Sequence, residues 1–316
     1  MSLETFGLGV EYTISALFDE HPAPSWAFLR RLSLACNAAI ASLSLGDIRL
    51  DYFRGLLELN LENVEWDLTG TDFLKTLTEC PEMHTLRLHR LMESHDTSPD
   101  PTISMKSLRL LDMDNTGAAV LSYLNAPLEL DLRLSSWSHK EHTRLSILKA
   151  FCARSRVVAL TLRSQSNGPS GDQITVGQLA KGLRFLRTMR FEGISLEQDA
   201  PCQLAGLSDC YVALRLPNLR SICFAKYFII LETTSELDDL LNEIKLVRLA
   251  FLDCRFARPS IGRRRRDEPR WEEEGVLETM LPVFYAISEK VIIRDEVPVP
   301  VCHGVDPFVR EMMEAD

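Results

Sequence analysis

The chain lacks most of what marks an enzyme or a membrane protein. Neither GxGxxG nor GxxxxGK followed by Ser or Thr occurs among its 316 residues, so no Gly-rich turn is offered to a nucleotide phosphate. GxSxG is also missing; the nearest approach, Gly168-Pro169-Ser170-Gly171, has the wrong spacing for a nucleophile elbow. No run of about 18 apolar residues is present to span a bilayer. The first residues carry Glu4 and Glu11 rather than the basic start and apolar core of a signal peptide. Basic excess is lacking too: 35 Lys and Arg against 45 Asp and Glu leave a net charge of -10, which argues against a protein held to nucleic acid by a general positive field. Eight cysteines are present, yet no two have CxxC spacing. Several fall in apolar runs, where they read as free thiols used as small core residues. Cytoplasm or nucleus is the compartment this implies.

Candidate sites are as sparse as motifs. His84 and His89 flank an apolar run, and His139 and His142 stand in a polar segment; no Cys or carboxylate completes a metal-ligand set around either pair. Close carboxylates such as Asp112 and Asp114 are ordinary in an acidic chain and do not by themselves signal acid–base work. The expectation is a protein that is not an enzyme, with no cofactor and no metal.

What the chain does have is a recurring motif. Nine times an apolar residue is followed three and five positions later by two more. The clearest copies are Leu29, Leu32, Leu34; Leu56, Leu59, Leu61; Met83, Leu86, Leu88; Leu108, Leu111, Met113; and Val157, Leu160, Leu162. Looser copies are Pro127, Leu130, Leu132; Leu186, Met189, Phe191; Leu219, Ile222, Phe224; and Leu246, Leu249, Phe251. Their middle residues are separated by 27, 27, 25, 19, 30, 29, 33 and 27 positions, mostly in or near the range of about 20 to 29 expected for leucine-rich repeats. The fold class predicted is α/β, a leucine-rich-repeat solenoid or horseshoe with a parallel concave sheet and helices on the convex side. A doubly wound sheet also alternates strand with helix, but it would carry a Gly-rich turn and continuously apolar strands.

The apolar period lengthens after each motif, which predicts helices over Thr71 to Cys80, Gly117 to Asn125, His142 to Ser155, Val176 to Arg184, Ser235 to Ile244 and Val276 to Glu289. The organisation expected is an N-terminal cap over 1–28, repeats over 29–256, a charged loop over 257–275 and a C-terminal cap and tail over 276–316, with Val291 to Arg294 as a last strand. Gly262 to Gly275 holds five Arg and five acids, a composition for a solvated loop. Arg263 to Arg266 has the composition of a nuclear import signal, offset by the acids beside it. Ser164 to Asp172 and Glu93 to Pro101 read as surface loops.

Alternation turns the residues between the apolar positions toward the concave face. The candidate partner-binding residues are therefore Glu58, Asn60, Glu62, Arg87, Asp112, Asp114, Glu129, Asp131, Arg163, Arg190 and Arg248. This face runs from acidic in the middle to small and apolar at the C-terminal end, through Ser221, Cys223, Ala225, Ala250 and Leu252. The expectation is that the acidic middle docks a basic patch of a protein partner while the apolar end receives an anchoring side chain. Neither nucleic acid nor membrane is expected as a partner.

The phrases Phe73 to Leu88 (FLKTLTECPEMHTLRL) and Leu121 to Leu134 (LSYLNAPLELDLRL) resemble the leucine-rich part of fungal F-box proteins, in which a helix ending in Cys-Pro or Ala-Pro leads into the LxxLxL strand. The resemblance covers about residues 29 to 294. It implies the substrate-recognition half of an SCF-type ubiquitin ligase receptor, with the Skp adaptor and cullin as partners. The F-box itself, with its Leu-Pro start and late tryptophan, is not visible before Leu29. A free-standing leucine-rich-repeat scaffold without a link to ubiquitin ligation is the alternative.

Overall fold

The computed structural model describes residues 5–10, 30–36, 43–44, 55–66, 77–93, 102–135, 142–165, 179, 182–194, 216–226, 228–230, 246–259, 271–272 and 275–294. The chain divides into two compact units, Met1–Trp137 with Glu141–Val157, and Ser138–Lys140 with Val158–Asp316. Each is built on a parallel sheet.

In the first unit the strands are β1 (Thr5–Val10), β2 (Arg31–Cys36), β3 (Leu43–Ser44), β4 (Glu58–Glu62), β5 (Val64–Trp66), β6 (Thr85–His89), β7 (Met92–Glu93), β8 (Ile103–Ser104), β9 (Leu110–Asp114), β10 (Leu124–Asn125) and β11 (Leu130–Ser135). Among its described residues are the helices α1 (Val120–Tyr123) and α2 (His142–Arg154). The order β1, β2, β4, β6, β9, β11 forms one parallel sheet. Register lines the apolar residues into two columns. Leu32, Leu59, Leu86, Leu111 and Leu132 are mutual neighbours, as are Leu34, Leu61, Leu88, Met113 and Leu134. All ten are buried. At about 1.5–3 kcal/mol for each fully buried large apolar side chain, these columns are the main cohesive element of the unit.

The second unit contains β12 (Val157–Gln165), which begins at the boundary, then β13 (Thr188–Ile194), β14 (Ser221–Ala225), β15 (Phe228–Ile230), β16 (Leu246–Leu252), β17 (Arg255–Pro259), β18 (Trp271–Glu272), α3 (Val276–Ile287) and β19 (Ser288–Arg294). Strands β12, β13, β14, β16 and β19 pair in parallel in that order. Here the middle of the second column, between Leu162 and Ile293, is aromatic. Phe191 stacks on Phe224 at 5.3 Å and Phe224 on Phe251 at 5.5 Å, and Phe284 of α3 and Phe256 of β17 close on Phe251 at 4.6 and 5.1 Å.

Two backbone devices recur at fixed points of the motif. Where a strand begins, one carbonyl accepts two N–H groups from the following strand's start: Arg30 from Leu57 and Glu58, Leu57 from His84 and Thr85, His84 from Arg109 and Leu110. Arg187 does so for Arg220 and Ser221, and Arg220 for Val247 and Arg248. Where a strand ends, two residues past the second column, the chain turns through positive φ at Asn63, Arg90, Lys226 and Asp253, with φ of 50° to 58°. That turn lets Asn63 N–H reach the His89 carbonyl, Lys226 N–H that of Leu252 and Asp253 N–H that of Arg294. Short second strands follow the turn. β3, β5 and β7 pair in parallel, and so do β15 and β17. Strand-to-helix alternation alone does not predict these short strands; the unit is strand, left-handed turn, short strand.

Several expectations are adjusted. The Pro127 copy of the motif is displaced by two residues, because Leu132, not Leu130, pairs with Leu111. The position that should start that copy is Glu129, so a search for apolar residues settles on Pro127 instead. Middle residues then step by 21 and 28 around it rather than 19 and 30. The segment Gly117 to Asn125 is not one helix. It is a 3-10 turn over Asn115–Gly117, the single-turn α1, and β10, which pairs with β8. Arg154, at the end of α2, donates to the carbonyls of Leu124 and Leu121, supplying partners to the C-terminal carbonyls of α1 that have none within so short a helix. α2 itself follows the expected His142 to Ser155, burying Leu145, Leu148, Phe151 and Cys152. Val276 to Glu289 is helical through Ile287, and the last strand begins at Ser288. The boundary set at 256/257 falls inside β17, which also pairs antiparallel with β18, so both flanks of the segment read as a charged loop are strand. Of Thr71 to Cys80 the helical Leu77–Glu79 is described, of Val176 to Arg184 Leu179 and 182–184; Ser235 to Ile244, Arg263 to Arg266, Glu268 and Arg270 lie outside the described residues.

Candidate interaction surface

On each strand the residues between the columns face away from the apolar core. In the first unit cross-strand register arranges them in rows: Arg31, Glu58, Thr85, Leu110 and Asp131; then Ser33, Asn60, Arg87, Asp112 and Arg133. Charges of opposite sign fall beside one another, an arrangement that stabilises neighbouring strands. Arg31 pairs with Glu58 at 3.2 Å, His89 Nε2 with Asp112 at 3.3 Å, and Arg133 with Asp131 at 2.9 Å. Asn60 Nδ2 donates to Ser33 Oγ.

The acids of the middle strands are therefore not a bare negative patch. Asp131 is 2% exposed, Asp112 5% and Asp114 9%. Asp114 caps the 3-10 turn, accepting from Thr116 N–H and from the Thr116 hydroxyl, and its second oxygen accepts Arg90 N–H at 2.8 Å. It stands in for the backbone carbonyl that accepts the equivalent N–H of the other left-handed turns. These carboxylates serve the fold: each is buried and engaged within its own unit. Glu129 does not lie on the face either. It precedes β11 and pairs with Arg156 at 3.3 Å, both side chains being largely solvated, an arrangement worth about 0–1 kcal/mol.

In the second unit the rows are Thr188, Ser221 and Arg248, then Thr161, Arg190, Cys223 and Ala250, then Arg163, Glu192, Ala225 and Leu252. Glu192 takes both Arg163, at 3.2 Å, and the buried Arg190, at 3.7 Å. Cys223, Ala225, Ala250 and Leu252 are fully buried together, with Ile292 packed against them. They form an apolar cluster on the face opposite the phenylalanines. The small apolar end is accordingly part of a packed interior.

Of the sequence-predicted residues, Asn60, Glu62, Arg87, Glu129 and Arg163 remain partly accessible, while Glu58, Asp112, Asp114, Asp131, Arg190 and Arg248 are buried. Exposed residues missed by strand alternation lie at the strand starts. The motif's first apolar residue is followed by arginine at Arg30, Arg109, Arg187 and Arg220, a Leu-Arg pair that was legible as a signal. Exposed Phe185 lies beside this position in the second unit, with Arg184 over its ring at 4.8 Å.

Among the described residues no three His, Cys, Asp or Glu are placed to hold a metal ion, and no helix is long and apolar enough to cross a membrane. Cys80, Cys152, Cys223 and Cys254 are free thiols. Burial pushes the Cys152 thiol up to about 12 and raises that of Cys80, so both stay protonated and poorly nucleophilic near neutral pH. Cys254 Sγ donates to the Phe224 carbonyl of the preceding strand at 3.3 Å. The chain matches none of the models of known protein families, and no curated protein matches it significantly.

Proposed function

We propose that the chain is a leucine-rich-repeat solenoid acting as a non-enzymatic protein-protein interaction module, of the kind that supplies substrate recognition to F-box receptors of SCF-type ubiquitin ligases. The observation that carries this reading is the recurrence of one backbone unit. In each unit of the fold, parallel strands share two buried columns, a carbonyl that accepts two N–H groups at the strand start, and a left-handed turn two residues past the second column. A unit of this kind buries its apolar face only by stacking on neighbours, and stacking yields an extended surface rather than a single pocket. The resemblance of FLKTLTECPEMHTLRL and LSYLNAPLELDLRL to fungal F-box proteins points that surface toward substrate recognition, in the cytoplasm or nucleus.

Affinity purification of the tagged chain from its native cells, with mass spectrometry of the recovered proteins, tests the reading. Recovery of Skp and cullin supports a ligase receptor. Partners without them support a free-standing repeat scaffold, and the absence of any specific partner counts against an interaction module.

A further inference from the structure

The molecule carries net charge -10, yet one described patch of the second unit holds three arginines and no acid. Leu183 to Thr188 and Leu216 to Ser221 are the approaches to β13 and β14. Arg220 N–H donates to the Arg187 carbonyl at 2.8 Å, and Asn218 Nδ2 donates to the Arg184 carbonyl at 2.7 Å, so the two approaches are tied side by side. Neighbouring strands lie about 4.8 Å apart, which sets the backbones of Arg187 and Arg220 one strand spacing from each other. Arg184, Phe185 and Arg220 are exposed and Arg187 is half-buried. Phe185, Arg187 and Arg220 each also keep an interaction within the fold, which limits the freedom their side chains would lose on binding a partner.

We propose that Arg184, Phe185, Arg187 and Arg220 form a docking site for an acidic linear segment of a protein partner. The proposal rests on the interaction-module reading and gives its partner a chemistry. Planar guanidinium groups match carboxylates with paired hydrogen bonds, and the exposed Phe185 ring beside Arg184 offers apolar surface for a hydrophobic side chain of the same segment. A peptide suits the patch better than a nucleic acid. The field of the whole chain repels a long polyanion, whereas a short segment engages three local cations within a Debye length of about 8 Å at physiological salt. The same patch gives the partner the opposite charge to that expected from the sequence, since the acids of the first unit are engaged within the fold while Arg184 and Arg220 are exposed.

Fluorescence anisotropy with the full chain tests the site, using a short fluorescein-labelled peptide rich in Asp and Glu around a central Phe, the same peptide with Gln and Asn replacing the acids, and an oligouridylate. The expected result is saturable binding of the acidic peptide, weakened about tenfold or more in R184E/R187E/R220E and a few-fold in F185A or in raised salt. Equal binding of the acidic and amide peptides, or unchanged binding in the triple variant, overturns the proposal. Oligouridylate binding more tightly than the peptide, and lost in the same variant, also overturns it in favour of nucleic acid. Should the triple variant fail to fold, R220E alone, at the exposed residue before β14, is read by the same criteria. If affinity purification recovers the same partners with the wild-type chain and the triple variant, the module reading stands and this site falls.

Discussion

At the second apolar position of its strands the first unit places Leu34, Leu61, Leu88, Met113 and Leu134, and the second places Phe191, Phe224 and Phe251 between Leu162 and Ile293. Across the sheet the contrast reverses. The first unit covers its outer face with paired charges, and the second packs Cys223, Ala225, Ala250 and Leu252 into a buried apolar cluster. The same backbone unit thus tolerates two divisions of labour. Leucine columns confine cohesion to one face and leave the other to ionic pairing, whereas the second unit has apolar packing on both faces of β14 and β16. Strands apolar on both sides lose the alternation that fixes which face is which. Stacked rings restore some of that register, because offset aromatic pairs prefer particular separations.

The largest test breaks the aromatic column. Phe224 has Phe191 on one side and Phe251 on the other, and Phe224→Ala should cost about 3–5 kcal/mol. Leu61→Ala, the matching change in the first unit, falls in the range of about 2–5 kcal/mol. Hydrogen exchange read peptide by peptide in each unit checks this. Protection should fall across β13, β14 and β16 for the first variant and across β4 and β6 for the second. A loss spread evenly over every strand by either one would mean that the two units do not open separately.

Next in size is the ionic face. Asp131 and Arg133 are 2% and 6% exposed, and removing one member of a buried pair leaves the other charge without its compensation. Asp131→Ala should cost about 3 kcal/mol in a urea unfolding series, and the double change Asp131→Leu with Arg133→Met should recover most of it, since an apolar pair of similar volume needs no compensation. Failure of the double variant to recover would show that the pair also serves the hydrogen-bond network of its neighbours.

The third is a pH dependence confined to the first unit. The Cys152 thiol is held near 12 in the fold, by burial above all, against an ordinary value of 9.0. A raised thiol stabilises the protonated fold fully below pH 9, and that contribution is lost as pH rises from 9 toward 12. The slope should approach about 1.4 kcal/mol per pH unit in that window. Cys152→Ala should flatten it in unfolding midpoints measured at successive pH values, apart from the smaller contribution of Cys80. An unchanged slope would place the alkaline instability elsewhere.

The sequence made the nine motif strands and most of their register legible, because period-two alternation with a fixed first apolar residue is a local signal; β1 and the short second strands are not copies of the motif and were not legible. It failed at Pro127, where Glu129 occupies the motif's first position and shifts the apparent copy by two. It also failed at the turns after β4, β6, β14 and β16, since no glycine marks them: Asn63, Arg90, Lys226 and Asp253 differ in kind and share only their place. The candidate surface was less legible than the fold. Alternation says which face a residue takes, but whether Asp112 or Asp131 is solvated depends on partners supplied by other strands, and Leu252 is buried on a face that alternation alone would leave open.

Those four turns give the smallest and sharpest comparison, because the same device stands in both units with different residues. A left-handed conformation costs L-residues roughly 1 kcal/mol, and less for Asn and Asp, whose short polar side chains tolerate it. Lys226→Gly should therefore stabilise the second unit by up to about 1 kcal/mol, less the entropy that glycine adds to the unfolded chain. Arg90→Gly should do the same in the first unit but gain less, because Arg90 also pairs with Glu62 at 3.8 Å. Asn63→Gly and Asp253→Gly should be close to neutral. Thermal unfolding of the four single variants reads this directly. A ranking in which the asparagine and aspartate positions gain as much as the lysine would mean that backbone strain at the turn is not what separates them.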